Sequence, residues 1–207
     1  GGVCGYLGHV VCLVAADTLE NAKKAASLIQ WKWEVLPPVL TLEESMDKKD
    51  FLFEPLHLIR GNTREAMEKA PFREKGSLRA GGQEHYYFEP HSAYAVPRHQ
   101  GGFFIRASTQ NPSDNQRFAA SLLQLRASDI EVEAGCIGGG FGGKQAQANW
   151  SVAWSSLLAW KTNKPILLIL ERDQDFRISG KRHPFKATWD VGFDHLGKIL
   201  AIDLSVA

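Results

Sequence analysis

Five glycines in six positions, residues 138–143 (GGGFGG), constrain this chain more than any other stretch. Glycine has no Cβ, so such a run admits positive φ and lets backbone lie directly against a ligand. The preceding segment, IEVEA at 130–134, alternates Ile130, Val132 and Ala134 with Glu131 and Glu133, a short strand with one wet face. The segment after it, rich in Ala, Leu and Trp, reads as a helix. A helix starting just past a glycine loop aims free N–H groups and the positive end of its dipole at whatever the loop holds. That arrangement favours an anion or an oxo group. Phe141 is the one large side chain in the loop, and Lys144 and Gln145 stand at the expected start of the helix.

Two other readings compete. One is a tight strand-to-helix turn with no ligand, in a structural interaction domain; five glycines exceed what one turn geometry needs. The other is a P-loop-like nucleotide-binding enzyme, because residues 138–144 fit the spacing G-x-x-x-x-G-K. The apolar run 166–170, ending in Glu171, would then be the acidic strand that completes such a site. Gln145, however, stands where that motif places a magnesium-binding hydroxyl.

Composition narrows the classes. The 207 residues suffice for one domain or two small ones, and 44% hydrophobic with 23% charged residues is ordinary for a globular core. A net charge of +1 gives no reason to expect nucleic acid or an anionic membrane. Cys4, Cys12 and Cys136 are too widely spaced for a disulfide framework or a metal-ligand set, which fits a reducing, cytoplasmic setting. No apolar run reaches the roughly 18–20 residues that span a bilayer. The chain begins on Gly-Gly-Val and stops inside a strand pattern at 199–206, so both ends read as cut.

In chain order, 8–16 (GHVVCLVAA) reads as a strand buried on both faces. Asp17 and Thr18 can cap a helix over 19–29. Trp31, Trp33 and Val35 alternate with charges until Pro37 and Pro38 end the pattern. Together these make a βαβ-like unit without a catalytic constellation. The charged run 45–55 is the expected boundary, followed by a strand at 56–59 and a short helix within 61–70. Gly81 and Gly82 interrupt a strand just before Gln83, Glu84 and His85, and polar residues at such a break can be aimed into a cavity. His85 and His91 are expected to be satisfied structural histidines. A strand over 103–108 leads to Thr109-Gln110-Asn111-Pro112, where Ser113 and Gln116 form an S-x-x-Q capping box for a helix through Leu125. A buried strand at 165–170, a solvated charged loop at 171–184, and a hairpin of 189–193 with 198–204 complete the chain.

Four ordered motifs carry a resemblance. GGQEHYYFEPH at 81–91, TQNP at 109–112, GGGFGGK at 138–144, and ERDQDF with GKRHPF between 171 and 185 resemble the molybdenum hydroxylases, the xanthine dehydrogenase and aldehyde oxidase family. Residues 8–26 look like the close of that family's small hammerhead domain. The resemblance implies an α+β fold: residues 1–50 as the C-terminal part of a partial α/β hammerhead domain, and 56–207 as the first part of a mixed-sheet molybdopterin-binding domain. It implies a molybdenum–molybdopterin cofactor held by its own dithiolene, with Gln83 near the metal's apical oxygen. The backbone at Gly140, Phe141 and Gly142 would lie beside the cofactor, with Phe141 near molybdenum through its oxo ligands. Gln145 would touch substrate; it departs from the glutamate of purine-oxidising members and the apolar residue of aldehyde oxidases. The parent would be an oxidoreductase adding oxygen from water to an N-heterocycle or an aldehyde. None of this chain's residues matches the family's catalytic glutamate base, so the chain reads as a fragment, inactive alone. Its implied partners are the rest of the molybdenum subunit, 2Fe-2S and FAD domains or subunits, and further copies in an oligomer.

Overall fold

Two sheets carry the fold in the computed structural model, which describes residues 2–207. The elements run α1 (Leu19–Ser27), α2 (Leu42–Lys48), α3 (Thr63–Lys69), β1 (Phe72–Ala80), β2 (Ser92–Pro97), β3 (Phe103–Ala107), α4 (Pro112–Leu123), β4 (Ile130–Ala134), α5 (Ala148–Thr162), β5 (Ile166–Ile169), α6 (Arg172–Ile178), β6 (Phe185–Phe193) and β7 (Ile199–Val206). This is the expected α+β mixture. The chain divides into two compact units, one formed by the chain up to Lys32 with Glu84–Lys181, the other by Trp33–Gln83 with Arg182–Ala207.

The first unit holds a four-stranded sheet in the order β4-β3-β2-β5. Strands β3 and β4 pair in parallel, with Ile105 opposite Val132, and α4 supplies the crossover that a parallel pair requires. The other pairs are antiparallel. The buried core joins Ala93, Ala95, Phe103, Ile105 and Ala107 of the sheet to Ala119 and Ala120 of α4 and Val152 and Ala159 of α5. Alanine on both sides lets helix and sheet approach closely. Ser151, Ser155 and Ser156 of α5 are buried too, and each hydroxyl donates to the carbonyl three residues back. The three serines are thus satisfied within the helix itself, while Asn149 of α5 bonds across to Asn115 and Asp114 of α4.

Helix α4 starts differently from the expected capping box. Asn111 is the N-cap, its Oδ1 accepting from Asp114 N at 3.3 Å, and Pro112 fills the first turn. Proline has a preset helical φ and no N–H to satisfy, so the residue before it takes the cap. Gln116 instead donates across to the carbonyls of Ala127 and Ile130, tying α4 to the start of β4.

The second unit is an antiparallel sheet in the order β1-β6-β7. Gly76 lies opposite Trp189, whose indole covers it. The expected hairpin is present: Asp194 Oδ1 accepts from Leu196 N and Lys198 N, and Gly197 takes φ +77°.

Several expectations fail. Residues 8–16, 31–35 and 56–59 are irregular rather than strands, so the βαβ-like unit is not formed. Apolar runs and alternation report which side chains prefer burial, whereas a strand also needs a second strand to complete its ladder. The boundary stretch 45–55 contains the end of α2, and the run 165–170 is an edge strand, with Leu167 and Ile169 65% and 56% exposed. The charged segment 171–184 is a loop only in its second half. Its first half is α6, with Gln174 Oε1 accepting from Glu171 N at 3.1 Å as half of a capping box.

Asn111→Ala removes the α4 cap and should lower stability by about 1 kcal/mol. A reduced urea midpoint with an unchanged slope would register it; an unchanged midpoint would mean that Pro112 alone sets the helix start.

Candidate functional site

After β4 the chain turns through residues 135–147, and α5 begins at Ala148, three residues beyond Gln145. Lys144 and Gln145 therefore belong to the loop. Gln147 occupies the N-cap position with helical angles and no side-chain cap, so Gln145 does not cap the helix. Gly143 N donates to Gly140 O at 2.7 Å and closes a turn whose corners are Phe141 and Gly142. Both corners are left-handed, at φ 51° and 87°.

This turn has a closed side and an open side. Gly140 is buried, and a Cβ there would come 2.5 Å from Gln110 Cδ. At Gly142 a Cβ would meet nothing within 4 Å. The backbone N–H groups of Phe141 and Gly142 donate to no acceptor among the described residues. Phe141 is 72% exposed, and Gln145 is exposed with no side-chain hydrogen bond. Adjacent free N–H groups in left-handed geometry form a concavity suited to an electron-rich oxygen. No group of three or more His, Cys, Asp or Glu among the described residues is placed to hold a metal ion directly. A ligand here meets backbone.

Beneath the loop lies a polar network. Lys144 is fully buried; its Nζ donates to Ser108 Oγ at 2.7 Å, lies 3.4 Å from Glu89 Oε2, and sits 4.7 Å over the Tyr87 ring. Burial lowers the lysine's pKa, and Glu89 works against that. For Glu89, burial acts to raise the pKa but is outweighed by hydrogen bonds from Gly138 N and Ser108 and by the Lys144 charge, so the carboxyl is held below its usual range. A phosphate-binding lysine must reach outward to its ligand, and this one is turned inward and paired. The P-loop reading is therefore not favoured.

A second buried cluster involves Asp175, which sequence reasoning missed by treating its segment as solvated. Tyr87 Oη donates to Asp175 Oδ1 at 2.6 Å, and His91 N donates to Asp175 Oδ2 at 2.7 Å. His91 Nδ1 lies 2.9 Å from Tyr87 Oη. Since the phenol gives its one hydrogen to Asp175, Nδ1 carries the proton that Oη accepts. Burial pushes the Asp175 pKa up, but bonds from His91 and Tyr87 more than reverse it, leaving the carboxyl far below the usual range. The Tyr87 phenol is pushed up by burial and by Asp175. The His91 ring is only half-satisfied, with Nε2 buried and unpartnered, and His85 Nδ1 is likewise buried without a partner among the described residues. The readable signal for Asp175 was Glu171 with Gln174, a helix start three residues apart.

Gln83 belongs to the other unit. It is exposed, and its backbone pairs with Arg182 through N to O at 3.0 Å and O to N at 2.9 Å. The loop thus brings Gly140, Phe141, Gly142 and Gln145 onto one segment, while Gln83 follows the end of β1.

Known proteins share both sequence and fold with this chain. The molybdopterin cofactor-binding domain matches residues 45–207. Xanthine dehydrogenase/oxidase of Felis catus is 37% identical over 197 residues, covering 95% of this chain and 15% of that protein. Xanthine dehydrogenase of Drosophila subobscura is 37% identical over 199 residues with the same coverage of each. Among solved structures, quinoline 2-oxidoreductase from Pseudomonas putida 86 superposes with a TM-score of 0.81 at 22% identity, over 92% of this chain and 25% of that one. Aldehyde oxidoreductase from Desulfovibrio gigas gives 0.80 at 22% identity, over 92% and 22%. The chain spans about 15% of the length of the curated relatives it matches.

Asp175→Asn keeps the shape of the buried cluster but removes its charge, and should cost about 2–3 kcal/mol at neutral pH. The folded pKa is lowered, so the stabilisation is complete above the unfolded value of about 3.9 and is lost as pH falls through the folded one. Denaturant midpoints of both proteins should differ at pH 7 and begin to approach each other only below about pH 4, the gap narrowing further as the pH falls toward the folded value; a gap that persists unchanged through the most acidic folded conditions would show that packing, not charge, is at stake.

Proposed function

Since the chain belongs to the molybdenum hydroxylase family through its molybdopterin cofactor-binding domain, we propose that it forms the glycine-loop wall of the cofactor site in a xanthine dehydrogenase-like oxidoreductase. The observation that carries this reading is the Phe141–Gly142 corner: two free N–H groups, left-handed backbone and open space in front of them. When bound, molybdenum–molybdopterin supplies the two-electron oxidation of a substrate carbon whose new oxygen comes from water. The residues here bind and orient. Phe141 and Gly142 would offer backbone donors to the metal end of the cofactor, and Gly140 lets the loop run close to Gln110. Gln83, whose backbone is held by Arg182, is assigned as a cofactor-binding residue through its amide, which can donate.

Gln145 faces the substrate in this proposal. It is exposed and has no hydrogen bond of its own to give up. Its amide donates and accepts but carries no charge, which suits an N-heterocycle or an aldehyde. We assign no catalytic acid or base to this chain. Residues 1–50 would close a hammerhead-like domain, and 56–207 would open the cofactor-binding domain, a division supported by a family match that starts at residue 45. The working assembly adds the rest of the molybdenum subunit and 2Fe-2S and FAD modules, in a cytoplasmic oligomer. No helix among the described residues is long and apolar enough to cross a membrane.

Two variants of the full-length enzyme test these assignments. Gly142→Val forces a β-branched side chain onto φ +87° at the corner. It should purify with depleted molybdenum and intact iron–sulfur absorbance; normal metal content by elemental analysis would mean the loop is only a turn. Gln145→Glu adds the missing charge and should shift kcat/KM toward hydroxypurines by roughly five- to two-hundred-fold. If the purine-to-aldehyde ratio stays within about twofold, Gln145 has no part in specificity.

A further inference from the structure

One carboxylate oxygen touches both ends of the glycine loop. Glu89 Oε2 accepts from Gly138 N at 2.7 Å, where the loop begins, and lies 3.4 Å from Lys144 Nζ, where it ends. The same atom accepts from Ser108 Oγ at 2.9 Å, and that hydroxyl accepts from Lys144 in turn. The backbone is fastened at the same two points. Glu89 N donates to Gly138 O at 3.1 Å, and a Cβ on Gly138 would come 2.5 Å from Glu89 Cβ. Lys144 N donates to Gln110 Oε1 at 3.1 Å, while Lys144 O accepts from Gln110 N at 2.9 Å. Between these anchors only the Gly140–Gly143 turn bond is internal to the loop. The corner at Phe141 and Gly142 therefore takes its shape from how far apart residues 138 and 144 are held.

We propose that Glu89 is a positioning residue, a staple that sets the glycine loop in its ligand-ready shape through Gly138, Ser108 and Lys144. This rests on the proposed cofactor role of the loop and adds the element that shapes it. The chemistry explains the choice of side chains. The negative charge of a carboxylate draws several donors toward one oxygen, and a neutral amide oxygen holds the lysine less strongly. Lys144, having no exposed surface, requires a counter-charge beside it. The corner is then ordered before any ligand arrives, so binding forfeits little entropy there.

The test uses full-length enzyme carrying Glu89→Gln, with Ser108→Ala as a charge-preserving second variant that removes one donor to the same oxygen and one acceptor of Lys144. Hydrogen exchange is followed on peptides covering residues 136–147, alongside kcat, substrate KM, molybdenum content and the Mo(V) paramagnetic resonance spectrum. Losing a charge-assisted bond at the loop should speed exchange there by about tenfold or more in Glu89→Gln, and by less in Ser108→Ala. Peptides from α5 and β3 should exchange as before. In enzyme that retains molybdenum, kcat should fall at unchanged KM and the Mo(V) spectrum should shift. Unaltered loop exchange and an unaltered spectrum overturn the proposal, and so does acceleration spread evenly over the whole subunit. If Glu89→Gln does not fold, Ser108→Ala decides by the same criteria. A wild-type enzyme without molybdenum would overturn the cofactor reading instead, while the exchange comparison would still decide whether Glu89 shapes the loop.

Discussion

A buried ammonium under the glycine loop imposes most of what surrounds it. Taking an unpaired lysine charge out of water costs several kcal/mol, so a folded chain that buries Lys144 must bring it a counter-charge and further acceptors. Ser108, at the end of β3, supplies the closest acceptor, Glu89 the charge, and the face of Tyr87 a weaker contact. Tyr87 and Glu89 lie on the short segment before β2, so pairing the lysine also fixes that segment. Tyr87 then reaches Asp175 on α6, and Asp175 takes the backbone N–H of His91. One chain of polar contacts therefore runs from the loop through the start of β2 to α6, entirely within the unit that holds the four-stranded sheet.

The glycines divide the work between conformation and space. Gly142 stands where the backbone is left-handed and the surroundings are open, so a side chain would be strained rather than crowded. Gly138 and Gly140 are the reverse case, since a methyl group there would run into Glu89 or Gln110. Count alone in the sequence cannot separate these roles. The separation matters chemically, because the crowded glycines press the loop against its support and the open one lets the other face receive a ligand.

Much of the fold was legible where a local signal suffices. The 194–197 hairpin, the 130–134 strand and the buried helix after the loop were readable from turn residues and periodicity, since these elements are decided by near neighbours. What failed depended on distant partners. Residues 8–16 are as apolar as a strand but are irregular, because apolarity does not name a pairing partner. Asp175 looked solvated because its neighbours are charged, yet the capping residues Glu171 and Gln174 turn one face of a short helix inward and bury it. At the candidate site, Gly140, Phe141 and Gly142 were legible as a loop, while Glu89 was invisible as its support: the loop residues its carboxylate meets are 49 and 55 residues away.

The spacing G-x-x-x-x-G-K shows how one pattern serves opposite chemistries. In a phosphate-binding loop the lysine points at the ligand and the helix starts directly behind it. Here the chain runs on beyond Lys144 before α5 begins, so the helix N-terminus is displaced from the loop and the lysine turns toward the protein. The positive charge is spent inside, on Glu89, and the ligand side is left with neutral N–H donors at Phe141 and Gly142. A neutral concavity suits a group that presents oxygen without concentrated negative charge. A triphosphate would need the outward cation that this chain has buried.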